Sequence, residues 1–205
     1  ADPTKFPTDR KAAIREERGI SADSTVVLFV GQFTERKGMN ELIELLPTLD
    51  LPNTEFVFVG HGGDMRDDLR DAVARSQFST EYIFSGVTNE TLREWFAASD
   101  LLLLPSHAEG RPTVIYEAMA SETAVLASDV GGVGEQVADG ETGDLLPAGD
   151  VDALEAALAS LTADHERLDS MGERGYERLV ERGWTWQAHA DRVRELHLAA
   201  IESSP

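Results

Sequence analysis

The sequence predicts a doubly wound, Rossmann-like α/β domain, with a parallel sheet of about six strands, helices on both faces and extra helices at the C-terminal end. Three observations lead there. Short apolar or β-branched runs alternate with longer amphipathic stretches, as strands feeding crossover helices do. Each run is closed by Gly, Pro, Ser or Asp, residues that stop a strand at its carboxyl edge. No internal repeat or low-complexity tract offers a competing architecture.

Taken in order, strands are expected at 26–30, 56–59, 82–85, 101–104, 124–127 and 144–146. Val-Val-Leu-Phe-Val, Phe-Val-Phe-Val and Leu-Leu-Leu-Leu are apolar without alternation, as strands covered on both faces are. Helices are expected at 11–18, 38–46, 65–75, 89–98, 113–120, 133–138, 151–161, 165–180 and 186–202. Thr88 and Asp150 are N-cap residues, and the acids that follow complement the helix dipole. The last two helices have no strand between them and are expected to pack beside the sheet. Residues 1–8, with two prolines, read as an extended linker. The division is therefore 1–20 as linker and first helix, and 21–205 as one domain.

Composition narrows the function classes. No apolar run approaches the roughly 18 residues that span a bilayer, and neither a membrane span nor a signal peptide is expected. Acidic residues number 38 against 18 basic ones, for a net charge of −20, and the only lysines are Lys5, Lys11 and Lys37. Such a surface repels nucleic acid and anionic membrane. The excess reads either as an acidic partner face or as the solvating surface of a protein that works in high salt. Dispersal along helices, as at Glu16, Glu17, Asp67, Asp68, Asp152 and Glu155, favours the second. Without cysteine there is neither disulfide nor thiolate metal site, and the cytoplasm is the expected compartment.

In open α/β sheets ligands bind beyond the carboxyl ends of the strands, where helix N-termini offer amides to anions. After the first strand, Gly31 to Gly38 delivers Arg36 and Lys37 to the start of a helix, in a chain that otherwise avoids lysine. After the second, Gly60-His-Gly-Gly is a turn that lets a ligand approach the backbone, or a plain tight turn. After the fourth, Glu109 and Glu117 flank a helix N-terminus, with Pro112 suited to the first helical turn. Their order suits a nucleotide diphosphosugar: a carboxylate for sugar hydroxyls, amides for the diphosphate, a second carboxylate for the ribose diol.

The chain resembles the retaining glycosyltransferases of two-Rossmann-domain architecture that carry an E-x7-E motif (glycosyl transferases group 1, family 4 type). Glu109 to Ala120 fits E-G-x6-E-A-M-A, Gly31 to Gly38 fits G-R-x4-K-G, and Ser128 to Gly132 with Glu135, Gly140 and Gly143 fits a downstream glycine-rich run. The resemblance covers nearly the whole chain and matches the C-terminal, nucleotide-sugar-binding domain of those enzymes. It implies an N-terminal acceptor-binding domain elsewhere in the protein. The donor would be a UDP-, GDP- or ADP-sugar, with no cofactor and no metal. Any membrane contact of the full-length protein would not run through this domain, which is not expected to catalyse alone.

Residue by residue, the resemblance implies Lys37 on the diphosphate, Glu109 on the transferred sugar and Glu117 on the ribose. The backbone from Gly110 through Arg111 and Thr113 to Val114 would meet sugar and phosphates, and Val87, after Gly86, would lie against the base. Gly31, Gln32 and Gly60 complete the donor site. Gln32 stands where the family usually has an arginine, so Arg36 or Arg111 must supply the missing charge. Arg111-Pro112 replaces Phe-Gly, and Glu122 and Ala124 replace a Gly and a Pro.

His61 and His107 lack a carboxylate or second histidine at metal-ligand spacing. Trp184 and Trp186 are expected to anchor core packing rather than to stack on sugar. Two other readings stay open on the same fold: a nucleotide-sugar-binding module that no longer transfers sugar, and an epimerase or phosphorylase.

Overall fold

The computed structural model describes residues 1–78, 80–83 and 87–202. Its strands are β1 (Thr25–Val30), β2 (Thr54–Val59), β3 (Thr80–Ile83), β4 (Leu101–Leu104), β5 (Ala124–Ser128) and β6 (Gly143–Leu146). All pairings are parallel, in the spatial order β3-β2-β1-β4-β5-β6. The order reverses between β1 and β4, and the crevice above that switch point is where such sheets bind ligands. The expected strand at 82–85 lies earlier in the chain, at Thr80–Ile83, and positions 84 and 85 fall outside the described residues.

The helices are α1 (Lys11–Glu17), α2 (Met39–Leu45), α3 (Arg66–Ala74), α4 (Asn89–Ala98), α5 (Thr113–Ala120), α6 (Val133–Gln136), α7 (Val151–Thr162), α8 (His165–Glu181) and α9 (Trp186–Glu202). Thr88 and Asp150 cap α4 and α7 as expected, accepting from the amides of Thr91 and Ala153. Strand side chains alternate between two cores. Val27, Phe29, Phe56 and Leu101 pack under α2, α3 and α7. Val26, Leu28, Val57 and Leu102 pack under α1, α4 and α5.

A buried ionic cluster ties α1 to the edge of the sheet opposite the crevice. Asp100, just before β4, accepts from Arg15 Nη2 at 2.5 Å, Lys11 Nζ at 2.7 Å and the Val26 amide at 2.7 Å. The Arg15 guanidinium also donates to the carbonyls of Ala98 and Ser24.

Two expectations are corrected. The opening residues are not extended: Pro3–Lys5 and Thr8–Arg10 are 3-10 turns, the first capped by Asp2 accepting from the Thr4 amide. A proline at the first position of such a turn already holds the required φ. At the other end, α8 packs on α5 and β5, but α9 leaves Trp186, Leu196 and Ile201 exposed. Trp186 is 67% exposed and is not a core residue.

With Glu16, Asp67, Asp68 and Glu155 all on the surface, self-repulsion opposes the fold at low ionic strength. The melting temperature is expected to rise by about 5 °C or more from millimolar to molar potassium chloride. Scanning calorimetry across that range checks it, and a flat response would refute it.

Candidate functional site

The chain leaves β1 through Gly31 and Gln32 into a 3-10 turn, Glu35–Lys37, that meets the loop leaving β4. Gly38 makes the approach feasible: its φ is +78°, and a Cβ there would overlap the carbonyl oxygen of Pro105. On the far side of that loop Gly131, at φ +56°, lies against the Glu109 carbonyl in the same way. The Gly132 amide donates to the Gly110 carbonyl at 2.8 Å.

This packing brings Lys37 Nζ to 2.5 Å from Glu109 Oε1, with the side chains only 13% and 7% exposed. Arg36 Nη1 lies 4.0 Å from Glu109 Oε2 and donates to the Ala108 carbonyl at 2.9 Å. A charge pair this sheltered interacts through less water than a surface pair, and each partner covers the other's desolvation. Above it opens a cleft of about 510 Å³. Gly31, Gln32, Arg36 and Lys37 line one side, and Gly60 and His61 lie at the end of β2. Val30, Val59, Val87, Leu92 and Val114 form its apolar part, with the polar Asn89 among them. Gly86 lies outside the described residues.

Helix α5 divides the rest of the candidate set. Pro112 is its N-cap, at φ −65° and ψ 124°, not a residue of its first turn, and makes no side-chain cap bond. The first-turn amides therefore stand free of a side-chain acceptor, the arrangement that receives anions. Val114 faces the first cleft, while Thr113 and Glu117 face a second, of about 600 Å³, with Tyr116, Trp184 and Trp186. The structure thus joins Lys37, Arg36 and Glu109 directly and sets Glu117 across the helix from them. The second cleft is the larger, but the cationic turn and the switch point belong to the first.

Arg111 is turned away from Lys37. Its Nε donates to the Tyr116 hydroxyl, its guanidinium lies 5.3 Å from the Trp184 ring centre, and Glu135 pairs with it at 3.6 Å. Of the two arginines proposed for the missing charge, Arg36 alone lines the first cleft. Trp184, half-buried against Tyr116, is a packing residue as expected.

Burial raises the Glu117 carboxyl above the usual range, against the opposing pull of the Ala1 ammonium and Arg93. Between the ordinary value and the raised one the folded chain binds more protons than the unfolded chain, so this group's contribution to stability falls as pH rises. Glu117→Gln is expected to melt higher than the parent at neutral pH, with the gap closing below about pH 4. Thermal melts at both pH values check it, and a pH-independent gap would sink it.

His107 has a carboxylate partner after all: its Nε2 lies 2.9 Å from Glu41 Oε1. Sequence reasoning missed Glu41, since a glutamate inside an amphipathic helix signals nothing and its partner comes from another loop. Asn89 and Leu92 were missed for the same reason, because only the fold turns the start of α4 toward the cleft.

Residues 10–178 match the family described as Glycosyl transferases group 1. The chain is 32% identical over 197 residues to the alpha-maltose-1-phosphate synthase of Mycolicibacterium smegmatis, covering 90% of this chain and 50% of that protein. It is 32% identical over 198 residues to the GDP-mannose-dependent alpha-(1-6)-phosphatidylinositol monomannoside mannosyltransferase of the same organism, covering 92% and 51%. Among solved structures, sucrose-phosphate synthase from Thermosynechococcus elongatus superimposes with a TM-score of 0.81 at 28% identity, over 100% of this chain and 52% of that one. The chain spans about half the length of the curated relatives it matches. By the extent of these matches, and by a cationic turn set against a glutamate loop above the switch point, the chain belongs to the glycosyl transferases group 1 family.

Proposed function

We propose that this chain is the donor-binding part of a retaining glycosyltransferase, which moves a sugar from a nucleoside diphosphate to an acceptor hydroxyl held mainly by an N-terminal domain. The observation that carries the reading is the sheltered Lys37–Glu109 pair with Arg36 beside it, at a cleft that Lys37, Arg36 and Val114 of the uncapped α5 start all line. One relative, the GDP-mannose-dependent mannosyltransferase, supports a nucleotide-sugar donor.

As the glycosidic bond breaks, the leaving diphosphate gains negative charge, and groups fixed beforehand stabilise it best. Lys37 and Arg36 supply cations and the start of α5 supplies amides. Glu109 hydrogen-bonds sugar hydroxyls and orients the ring, and the apolar wall of Val87, Leu92 and Val114 takes the base. Glu117, which opens on the second cleft, accepts from the ribose diol only where the donor passes over the start of α5. Transfer to the face the phosphate leaves lets a phosphate oxygen assist removal of the acceptor proton.

Calorimetry with UDP, GDP and ADP and their sugars, in molar salt, tests the donor role. Arg36→Ala is expected to weaken the bound nucleotide about tenfold, and Arg111→Ala to leave it within about twofold. If none of these ligands binds, the reading fails. If Arg111 matters and Arg36 does not, the assignment of charge is reversed.

A further inference from the structure

In the helix that follows Lys37 lies a buried carboxylate that the donor contacts above do not use. Glu41 sits in the first turn of α2, 9% exposed. Its Oε1 meets His107 Nε2 at 2.9 Å, and its Oε2 has no hydrogen-bond partner among the described residues. An ionised carboxylate is buried at a loss unless a partner offsets it. Here the observed hydrogen-bond partner is the imidazole.

His107 is fastened into the same corner through its main chain. Its amide donates to the Arg36 carbonyl at 2.9 Å, and Arg36 Nη1 returns a bond to the Ala108 carbonyl. Beside the ion pairs to Glu109, two hydrogen bonds thus tie the 3-10 turn to the loop with Glu109, His107 to Arg36 and Arg36 to Ala108. The bond between Glu41 and His107 ties the same loop to α2, which follows the turn. Gly149, in the loop before α7, packs against the pair, and the His107 side chain stays 36% exposed. A Cβ there would come to 3.2 Å from His107 Cε1 and 3.7 Å from Glu41 Oε1.

The charged groups around the ring are few and come from known elements. Glu41 comes from α2, Arg36 and Lys37 from the 3-10 turn, and Glu109 from the ring's own loop. The loop before α7 brings Gly149 to the ring, and the carboxylate of the neighbouring Asp150 is bonded to the Ala153 amide. With a neutral imidazole, Arg36 and Lys37 balance Glu41 and Glu109. With an imidazolium these five side chains carry one net positive charge, on the loop that also brings Glu109 to Lys37. Histidine is the side chain whose charge changes near neutrality.

We infer that Glu41 and His107 form a titratable positioning pair that holds Lys37 in register with Glu109, and that protonation of His107 tightens the grip on a nucleoside diphosphate. The inference rests on the donor-binding reading and adds a control to it. His107 acts through the cationic turn, as a positioning residue.

The test is calorimetric titration of the 205-residue chain and two variants with UDP, GDP and ADP, at about pH 5.5 and about pH 8, on either side of the range in which histidine titrates. Protonation of the nucleotide itself is common to all three proteins and cancels in ratios of dissociation constants. His107→Gln keeps a donor for Glu41 but cannot become charged. It is expected to bind like the parent at the higher pH and about fourfold more weakly at the lower. Glu41→Gln removes one negative charge from the same group of side chains and is expected to bind more tightly at the higher pH by a similar factor. Both variants conserve side-chain size, and their melting curves report whether the fold is intact. A His107→Gln ratio that is the same at both pH values overturns the inference while nucleotide binding stands, as does equal weakening of both variants at both pH values. If the parent binds none of the nucleotides, the donor-binding reading falls and takes this inference with it.

Discussion

Lys37→Ala is expected to lower affinity for a nucleoside diphosphate by about a hundredfold and to destabilise the fold by about 3 kcal/mol. The two losses have different origins. Affinity falls because the ammonium is the most sheltered cation of the cleft, and a charge-assisted bond to phosphate is worth most where water is scarce. Stability falls because Glu109, 7% exposed, is left without the partner at 2.5 Å that offsets its burial. The double variant Lys37→Ala/Glu109→Gln separates the two: it is expected to recover most of the stability and none of the affinity. Urea titration reads the first quantity and calorimetry with UDP, GDP and ADP the second. A Lys37→Ala protein that binds as the parent does would remove the lysine from the donor site.

The second large effect belongs to the opposite edge of the sheet. Asp100→Ala is expected to cost about 4 kcal/mol, read as a lower urea midpoint with an unchanged slope. It strands the Arg15 guanidinium, whose side chain is 8% exposed, and leaves the Val26 amide without its acceptor. Lys11 has a side chain 34% exposed, and Lys11→Ala is expected to cost under about 1 kcal/mol. Nucleotide affinity of the Asp100 variant, measured well below its melting transition, should match the parent, because the cluster sits at the strand starts and the cleft at the strand ends. A loss of affinity there would mean that the two edges are coupled.

Most of the architecture was legible because it follows from local rules. Strand run 101–104 and helices 89–98 and 113–120 coincide with β4, α4 and α5, whose starts are marked by an uninterrupted apolar run, the Thr88 cap and Pro112. The opening turns were not, since a proline reads equally as extended chain or as the first residue of a 3-10 turn until Asp2 is seen to cap it. Trp186 was misread because aromatic residues usually mark a core, and nothing local reveals that α9 runs off the sheet. In the site, Lys37 and Glu109 were legible one by one, as residues just beyond strand ends. Their contact required the strand order, which sets β1 beside β4. Arg111 could be separated from Arg36 only once Tyr116 and Trp184 were in place to hold it.

Gly38 and Gly131 press the loops of the site together backbone on backbone, with no room for a Cβ at either contact. The frame is therefore set by peptide groups, while Gln32, Asn89 and Leu92 project from it without bearing its weight. Divergence among descendants can then run on two clocks. The lining is free to drift and acquire a taste for a different base or sugar, and the glycines stay put, because a change there disassembles the place where any taste could be expressed.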